Sequence, residues 1–195
     1  MSVLDDDMPS AAFPTRYGMF RIYAFKEGSM EHLVLVRGDV SGARALPVRI
    51  HSQCITGDAL GSLRCDCGVQ LADALSYLGS QEAGMLFYMG HEGRGIGLYH
   101  KIQAYALQDG GADTVEANAQ LGFAPDMRSY RVVASVLRRF GVRSVRLITN
   151  NPDKVQDLVE TGVDVAERIP LVIPCNMHNA GYLRTKKEKM NHILG

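Results

Sequence analysis

The chain has 195 residues, with 21 Lys and Arg against 21 Asp and Glu and a formal net charge of zero. That length can bury a sizeable core without disulfide staples, and the charge balance excludes the basic footprint of a nucleic-acid or membrane-surface binder, so any phosphate recognition must be local. No apolar run is long enough to span a bilayer and the start, Met1-Ser2-Val3-Leu4-Asp5-Asp6-Asp7, is too acidic for a secretory leader, so a cytoplasmic, reducing setting is expected, with no membrane and no nucleic-acid partner.

In chain order, the polar stretch over residues 1–12 is expected to be disordered, with one folded domain over 13–195. Tyr17 to Phe25 alternates as a strand does, and His32 to Arg37 and Leu46 to His51 read as further strands, the latter carrying Arg49 and His51 straight into a cysteine-bearing segment. The period then changes: Leu71, Ala74, Leu75 and Leu78 recur at helical spacing, and Gly84 restarts a strand through Met85–Met89. A helix is expected around Lys101 to Gln108. Another carries Tyr130, Val133, Ala134, Leu137 and Phe140 and stops at Gly141. Val145 to Thr149 is β-branched, and Asn150-Asn151-Pro152 opens the next helix. Strands alternating with helices predict an α/β (α+β) domain with a mixed sheet flanked by helices.

Three of the four cysteines, Cys54, Cys65 and Cys67, fall within one short segment. Structural zinc is normally closed by four protein ligands, whereas catalytic zinc keeps a position open, so three thiolates with no fourth nearby point to an open, catalytic metal site. Gly57, Gly61 and Gly68 let the backbone fold Cys54 back onto the other two. A lone buried cysteine is usually a small core residue; Cys175, far along the chain, reads as a free thiol.

The loop His91-Glu92-Gly93-Arg94-Gly95-Ile96-Gly97 follows a strand and precedes a helix. Its glycines allow a phosphate or base to approach the backbone, and Glu92 and Arg94 offer an acceptor and a fork of donors, although the glycine order is not a dinucleotide-binding fingerprint. Asp126, before the Tyr130 helix, would by itself be an N-cap. Thr149 and Lys154 sit where a strand gives way to a helix, a position that collects ligands in α/β folds. Tyr105, with Ile102 and Ala106 around it, would ordinarily be a core residue with its hydroxyl at the edge.

Taken together, the strings Arg-x-His-Ser-x-Cys-x-Thr-Gly-Asp, Gly-Ser-Leu-Arg-Cys-Asp-Cys-Gly, Glu-Gly-Arg-Gly-Ile-Gly-Leu, Tyr-Ala-Leu-Gln-Asp, Asp-Thr-Val-Glu-Ala-Asn-x-Gln-Leu-Gly-Phe and Leu-Ile-Thr-Asn-Asn-Pro-x-Lys occur in an order and spacing that resembles GTP cyclohydrolase II, from about Phe13 to Tyr182-Leu183-Arg184-Thr185-Lys186. The resemblance implies an enzyme of riboflavin biosynthesis that opens the imidazole ring of GTP, releasing formate and pyrophosphate and leaving a diaminopyrimidine ribosyl monophosphate. It implies zinc on Cys54, Cys65 and Cys67, with a water in the open position that attacks C8, and a second hydrolysis that frees the formyl carbon. Three thiolates surround the ion with negative charge, so its water needs a neighbouring base. By matching position, that assistance falls to Asp126 and Tyr105.

Guanine and phosphate contacts fall, on the same resemblance, on Arg49, His51, Ser52, Gln53, Gln70, Glu92, Gly93, Arg94, Thr114, Thr149 and Lys154. Arg128 matches a residue assigned an attack on the α-phosphate, but a guanidinium that stays protonated is a poor nucleophile and is better suited to clamp transition-state charge. Magnesium on the polyphosphate and a homodimer are also implied. Gln53 stands where the family usually has Glu, and Gly90-His91 where it usually has Arg-Gln. Two alternatives therefore stay open: a paralogue hydrolysing the ring of another purine or pyrimidine, and a non-catalytic zinc protein that binds a nucleotide.

Overall fold

The computed structural model describes residues 8–124, 127–171, 179, 184, 185 and 193. Their elements, in chain order, are β1 (Ser10–Thr15), β2 (Gly18–Glu27), β3 (Met30–Arg37), β4 (Leu46–Ser52), α1 (Ile55–Asp58), α2 (Cys67–Ser80), β5 (Gly84–Met89), a 3-10 turn (Glu92–Gly95), α3 (Gly97–Asp109), α4 (Thr114–Gln120), α5 (Arg131–Arg139), β6 (Ser144–Ile148), α6 (Pro152–Glu160) and β7 (Asp164–Ile169). Two compact units emerge. The first runs up to His51 and takes in Ala72–Gly90 and Ser129–Leu171; the second comprises Ser52–Leu71 and His91–Arg128, with the described residues beyond Leu171.

The first unit holds a seven-stranded sheet in the order β1-β2-β3-β5-β4-β6-β7. β1, β2, β3 and β5 pair antiparallel in sequence across the sheet, while β4 with β6 and β6 with β7 are parallel. This mixed sheet with helices bears out the expected α/β class. β4 is buried without a break from Leu46 to His51, the pattern of a strand covered on both faces rather than one that alternates. Its burial therefore takes Arg49 and His51 into the interior along with Leu46, Val48 and Ile50.

The core of this unit joins Val34, Val48, Met85, Phe87 and Leu147 of the sheet to Val132, Val133, Val136 and Leu137 of α5. The last four recur at positions that share one helical face, which is why α5 can be polar on the other and still pack. α6 begins as its sequence demands: the Asn151 side chain accepts from the Asp153 N–H at 3.0 Å, and Pro152 takes the first turn, where no N–H is needed.

Two expectations are corrected. Ser10–Ala12 had been placed in a disordered start, yet these residues are paired to Tyr23–Arg21 of β2. β1 is an edge strand whose residues are nearly all exposed, so it is held by its backbone ladder and not by burial, and polar composition gives no sign of that. The N-cap of α5 is Tyr130, not Asp126, and the Tyr130 N–H is taken by the Asp157 carboxylate at 3.3 Å. Asp126 and Cys175 themselves lie outside the described residues. No helix among the described residues is long and apolar enough to cross a membrane.

Leu147 is fully buried at the middle of β6, opposite Val48. Leu147→Ala should lower unfolding stability by about 2–5 kcal/mol through lost transfer energy and a residual cavity, whereas Glu167→Ala on exposed β7 should stay within about 0.5 kcal/mol of wild type. Chemical denaturation with a shared slope measures both.

Candidate active site

In the second unit Cys54, Cys65 and Cys67 meet, with their three sulfurs within 4.8 Å of one another and the Cys54–Cys65 pair at 3.6 Å. Cys54 caps α1: its carbonyl accepts from the Gly57 and Asp58 N–H groups at 3.0 and 2.7 Å, while its own N–H donates to the Asp58 carboxylate at 3.0 Å. This reciprocal pairing fixes the turn. A Cβ on Gly57 would lie 2.7 Å from Cys65 Sγ, 3.1 Å from Cys67 Cβ and 3.3 Å from Cys54 Sγ, so the sulfurs close over a backbone that only glycine leaves bare.

The donor set fits zinc. Tetrahedral zinc with bonds of about 2.3 Å holds its sulfurs about 3.8 Å apart, close to the spacing found here. Without a metal the sulfurs compete for protons. Hydrogen bonds from Cys65 and Cys67 hold Cys54 far below the usual thiol range against the effect of burial, with Lys101 adding to the same direction. In return the Cys54 sulfur pushes Cys65 up to about 11, and Cys54 with Cys65 push Cys67 well above its ordinary value. One thiolate and two thiols is the state that a divalent ion would convert to three thiolates by displacing protons.

Around the sulfurs stand residues of α3 and the 3-10 turn. Lys101 Nζ donates to Cys54 Sγ at 3.1 Å and to Glu92 Oε1 at 2.8 Å, both side chains nearly buried. One turn along α3, the Tyr105 hydroxyl lies 3.3 Å from Thr56 Oγ1, which is itself 3.6 Å from Cys54 Sγ. Arg64 sits over the Tyr105 ring at 5.0 Å and pairs with Asp109 a further turn along. Burial raises the Tyr105 phenol, so it is a proton donor at neutral pH rather than a base. Ile102 and Ala106 are exposed, and Tyr105 is half-buried against the cysteine loop; the core position expected for it is not what the fold provides.

Other residues expected in the site lie in the same unit. Arg128 Nη1 donates to Ser52 Oγ at 3.1 Å. Gln53 is half-buried next to Ser52, and the Gln70 amide donates to Asp66, a fully buried carboxylate between the two close cysteines, at 2.5 Å. Gly93 and Arg94 both take left-handed backbone conformations, which is unusual for an arginine, and the Arg94 carbonyl accepts the Met127 N–H at 3.2 Å. Thr114 opens α4, where Asp113 and Glu116 form a reciprocal capping box.

Four expected residues belong to the sheet unit instead. Arg49 Nη1 donates to the Ile148 carbonyl at 2.9 Å, and His51 stacks on Tyr88 at 5.6 Å between centroids. Lys154 Nζ donates to the Ile50 carbonyl at 2.9 Å and stands 5.0 Å over the Tyr130 ring, and Thr149 Oγ1 accepts the Asn151 N–H at 3.0 Å. All four gather at the carboxyl ends of the parallel strands β4 and β6, where open α/β sheets bind ligands.

A model of the family described as GTP cyclohydrolase II matches residues 6–170. The chain belongs to the GTP cyclohydrolase II family. Among its relatives is a GTP cyclohydrolase-2 of Picrophilus torridus, 52% identical over 94% of this chain and 96% of its own. A GTP cyclohydrolase-2 of Teredinibacter turnerae is 50% identical over 95% of this chain and 94% of its own, and a riboflavin biosynthesis protein of Vibrio vulnificus is 53% identical over 95% of this chain and 51% of its own. A crystal structure of a two-domain 3,4-dihydroxy-2-butanone 4-phosphate synthase from A. baumannii matches at TM-score 0.47 and 20% identity, over 86% of this chain and 40% of that one.

Against the GTP cyclohydrolase II pattern, Gly90 acquires a physical reason. A Cβ there would come within 2.6 Å of the Glu31 carbonyl oxygen, and the Gly90 N–H donates to His32 Nδ1 at 3.0 Å, so an arginine at this position would require β3 to move. Sequence reasoning passed over Lys101, Thr56, Arg64 and Asp66. The available signal was spacing: Lys101, Tyr105 and Asp109 recur every four residues on α3 and so share a face.

Gly57→Ala should force the sulfurs apart. Its expected result is a loss of divalent-metal affinity of about tenfold or more with secondary structure retained, measured by cobalt titration alongside circular dichroism.

Proposed function

We propose that this chain opens the imidazole ring of GTP by hydrolysis at C8, releases formate and pyrophosphate, and so supplies the diaminopyrimidine ribosyl monophosphate of riboflavin biosynthesis. The observation that carries this reading is the convergence of three sulfurs, at zinc-ligand spacing, with the phenol of Tyr105 linked to Cys54 through the single hydroxyl of Thr56. Zinc bound by Cys54, Cys65 and Cys67 would supply Lewis acidity, polarising a substrate atom and acidifying water at neutral pH. Identity of 50–53% to relatives named for this activity and pathway supports GTP over another nucleobase compound.

The protein's own groups divide the remaining work. Two successive C–N hydrolyses at C8 release formate, and each leaving nitrogen needs a proton. Tyr105, held neutral by burial and oriented by Thr56 and the Arg64 guanidinium, is placed to give one. Asp126 is assigned, by its match to the family pattern, the complementary role of accepting a proton from water. Hydrolysis at the α-phosphate releases pyrophosphate, and there Arg128, always protonated and positioned by Ser52, stabilises the developing charge.

By their match to the family pattern, Arg49, His51, Ser52, Gln53, Gln70, Glu92, Gly93, Arg94, Thr114, Thr149 and Lys154 are the residues proposed to contact the nucleotide. Magnesium on the polyphosphate oxygens, a homodimer and a cytoplasmic location complete the proposal.

Formate and pyrophosphate released in equal amounts from GTP test the activity directly. Cys65→Ser is expected to remove most of the zinc and all ring opening; stoichiometric zinc in that variant would sink the ligand assignment. Tyr105→Phe is expected to let the ring-opened formamide accumulate relative to formate, as read by mass spectrometry. An unchanged product ratio at full rate would instead leave Tyr105 with a packing role.

A further inference from the structure

We infer that Lys101 is a positioning residue for the three-cysteine centre, and that Glu92 serves the same centre by holding Lys101 and the backbone that follows Cys54. This rests on the reading of Cys54, Cys65 and Cys67 as zinc ligands. Lys101 Nζ has two acceptors, Cys54 Sγ at 3.1 Å and Glu92 Oε1 at 2.8 Å. Glu92 is committed at both oxygens: Oε1 also accepts the Gly93 N–H at 3.0 Å, and Oε2 accepts the Ile55 N–H at 2.7 Å. Cys54 is thus gripped twice by one ion pair, through its sulfur by the ammonium and through the next peptide N–H by the carboxylate.

Packing does not account for this pair. Lys101 is 9% and Glu92 8% exposed, and an ion pair so deeply placed gives back much of its attraction as desolvation, so apolar residues of similar volume would hold the fold as well or better. What apolar residues could not supply is a cation against one ligand sulfur. A divalent ion with three thiolates carries one net negative charge, and the Lys101 ammonium cancels it locally while withdrawing electron density from the Cys54 sulfur. Charged groups just outside a metal's ligands tune both affinity and electronic character in this way. The placement on α3 is consistent: Lys101 is one turn before Tyr105, with Nζ 5.7 Å from the ring centroid, so the helix that presents the phenol also presents the cation.

The test compares wild type with Lys101→Met and with the charge-balanced Lys101→Met/Glu92→Gln, in which no unpaired charge is left buried. Zinc affinity is measured by competition with a chromophoric chelator, and the thiolate-to-cobalt charge-transfer band is recorded on the cobalt-substituted proteins. Both variants are expected to bind zinc about ten- to a hundredfold more weakly, and to move the band to lower energy because the Cys54 sulfur becomes the better electron donor. Should Lys101→Met fail to fold, the double variant decides. Zinc affinity within twofold of wild type, or an unmoved band, in a folded double variant overturns the inference. If wild type binds no zinc, or shows no thiolate band with cobalt, the three-cysteine reading itself has failed, a result distinct from an intact centre indifferent to Lys101.

Discussion

Three cysteine sulfurs held within 4.8 Å of one another set a charge problem that the second unit is built to answer. Without a metal, the sulfurs cannot all ionise, because each added thiolate is opposed by its neighbours at close range in a medium that screens poorly. Cys54 is the sulfur that ionises first, and it is also the one within reach of the Lys101 ammonium. For Lys101, burial works against the charge, but the bonds to Glu92 and Cys54 outweigh it and hold its pKa above the ordinary lysine value. The cluster is thereby primed with one thiolate, one adjacent cation and a backbone turn already closed. A divalent ion entering it would need to displace protons but not to reorganise the chain, which is the condition for a preorganised site.

The sheet unit solves a different problem with the same economy of means. β4 is buried on both faces, so Arg49 and His51 reach the strand's carboxyl end only by being carried through the interior, and each arrives with a fixed partner: a carbonyl of β6 for Arg49, the Tyr88 ring for His51. Lys154 is likewise anchored to the Ile50 carbonyl. Arg49 and Lys154 are both buried and hydrogen-bonded, so each cation is held in a set direction, unlike a mobile surface lysine.

What could be read from sequence divides along a physical line. Patterns of apolar residues revealed β2, β3, β4, β5, β6 and the helices α2 and α5, and the Asn150-Asn151-Pro152 start revealed α6, whereas α3, which buries Lys101 and Ala104, was expected from its place after the glycine-rich loop and not from an apolar stripe. The cysteine spacing likewise announced a cluster, since residues so near in sequence need only a turn to meet. β1 was missed because it is held by backbone pairing at the sheet edge, which leaves no mark on composition. α4 was missed although its capping box, Asp113 with Glu116, is written in the chain, because the helix is too short to show a stripe. Lys101 and Arg64 were passed over for another reason: beyond the spacing that puts Lys101 on the face of Tyr105, a lysine on a helix and an arginine in a loop are ordinary surface residues until the fold brings a sulfur to one and a ring to the other. Tyr105 was misplaced in the same way, since Ile102 and Ala106 imply an apolar face that the structure leaves in solvent.

The loop over Glu92–Gly95 ties these levels together. Arg94 adopts a left-handed backbone that costs a non-glycine residue on the order of 1 kcal/mol or more, and such strain persists only where neighbours impose it. Two neighbours do so here. Glu92, at one side, is locked by Lys101, Ile55 and Gly93; at the other, the Arg94 carbonyl is taken by Met127, whose side chain packs 3.2 Å from where a Cβ on Gly95 would stand. Met127 precedes Arg128, so the loop fixes the start of the segment that carries that guanidinium as well as the backbone around Cys54. The backbone around Cys54 and the start of the Arg128 segment are therefore not independent features that happen to share a unit: both are hydrogen-bonded to the same strained four-residue turn, through Glu92 to Ile55 and through the Arg94 carbonyl to Met127.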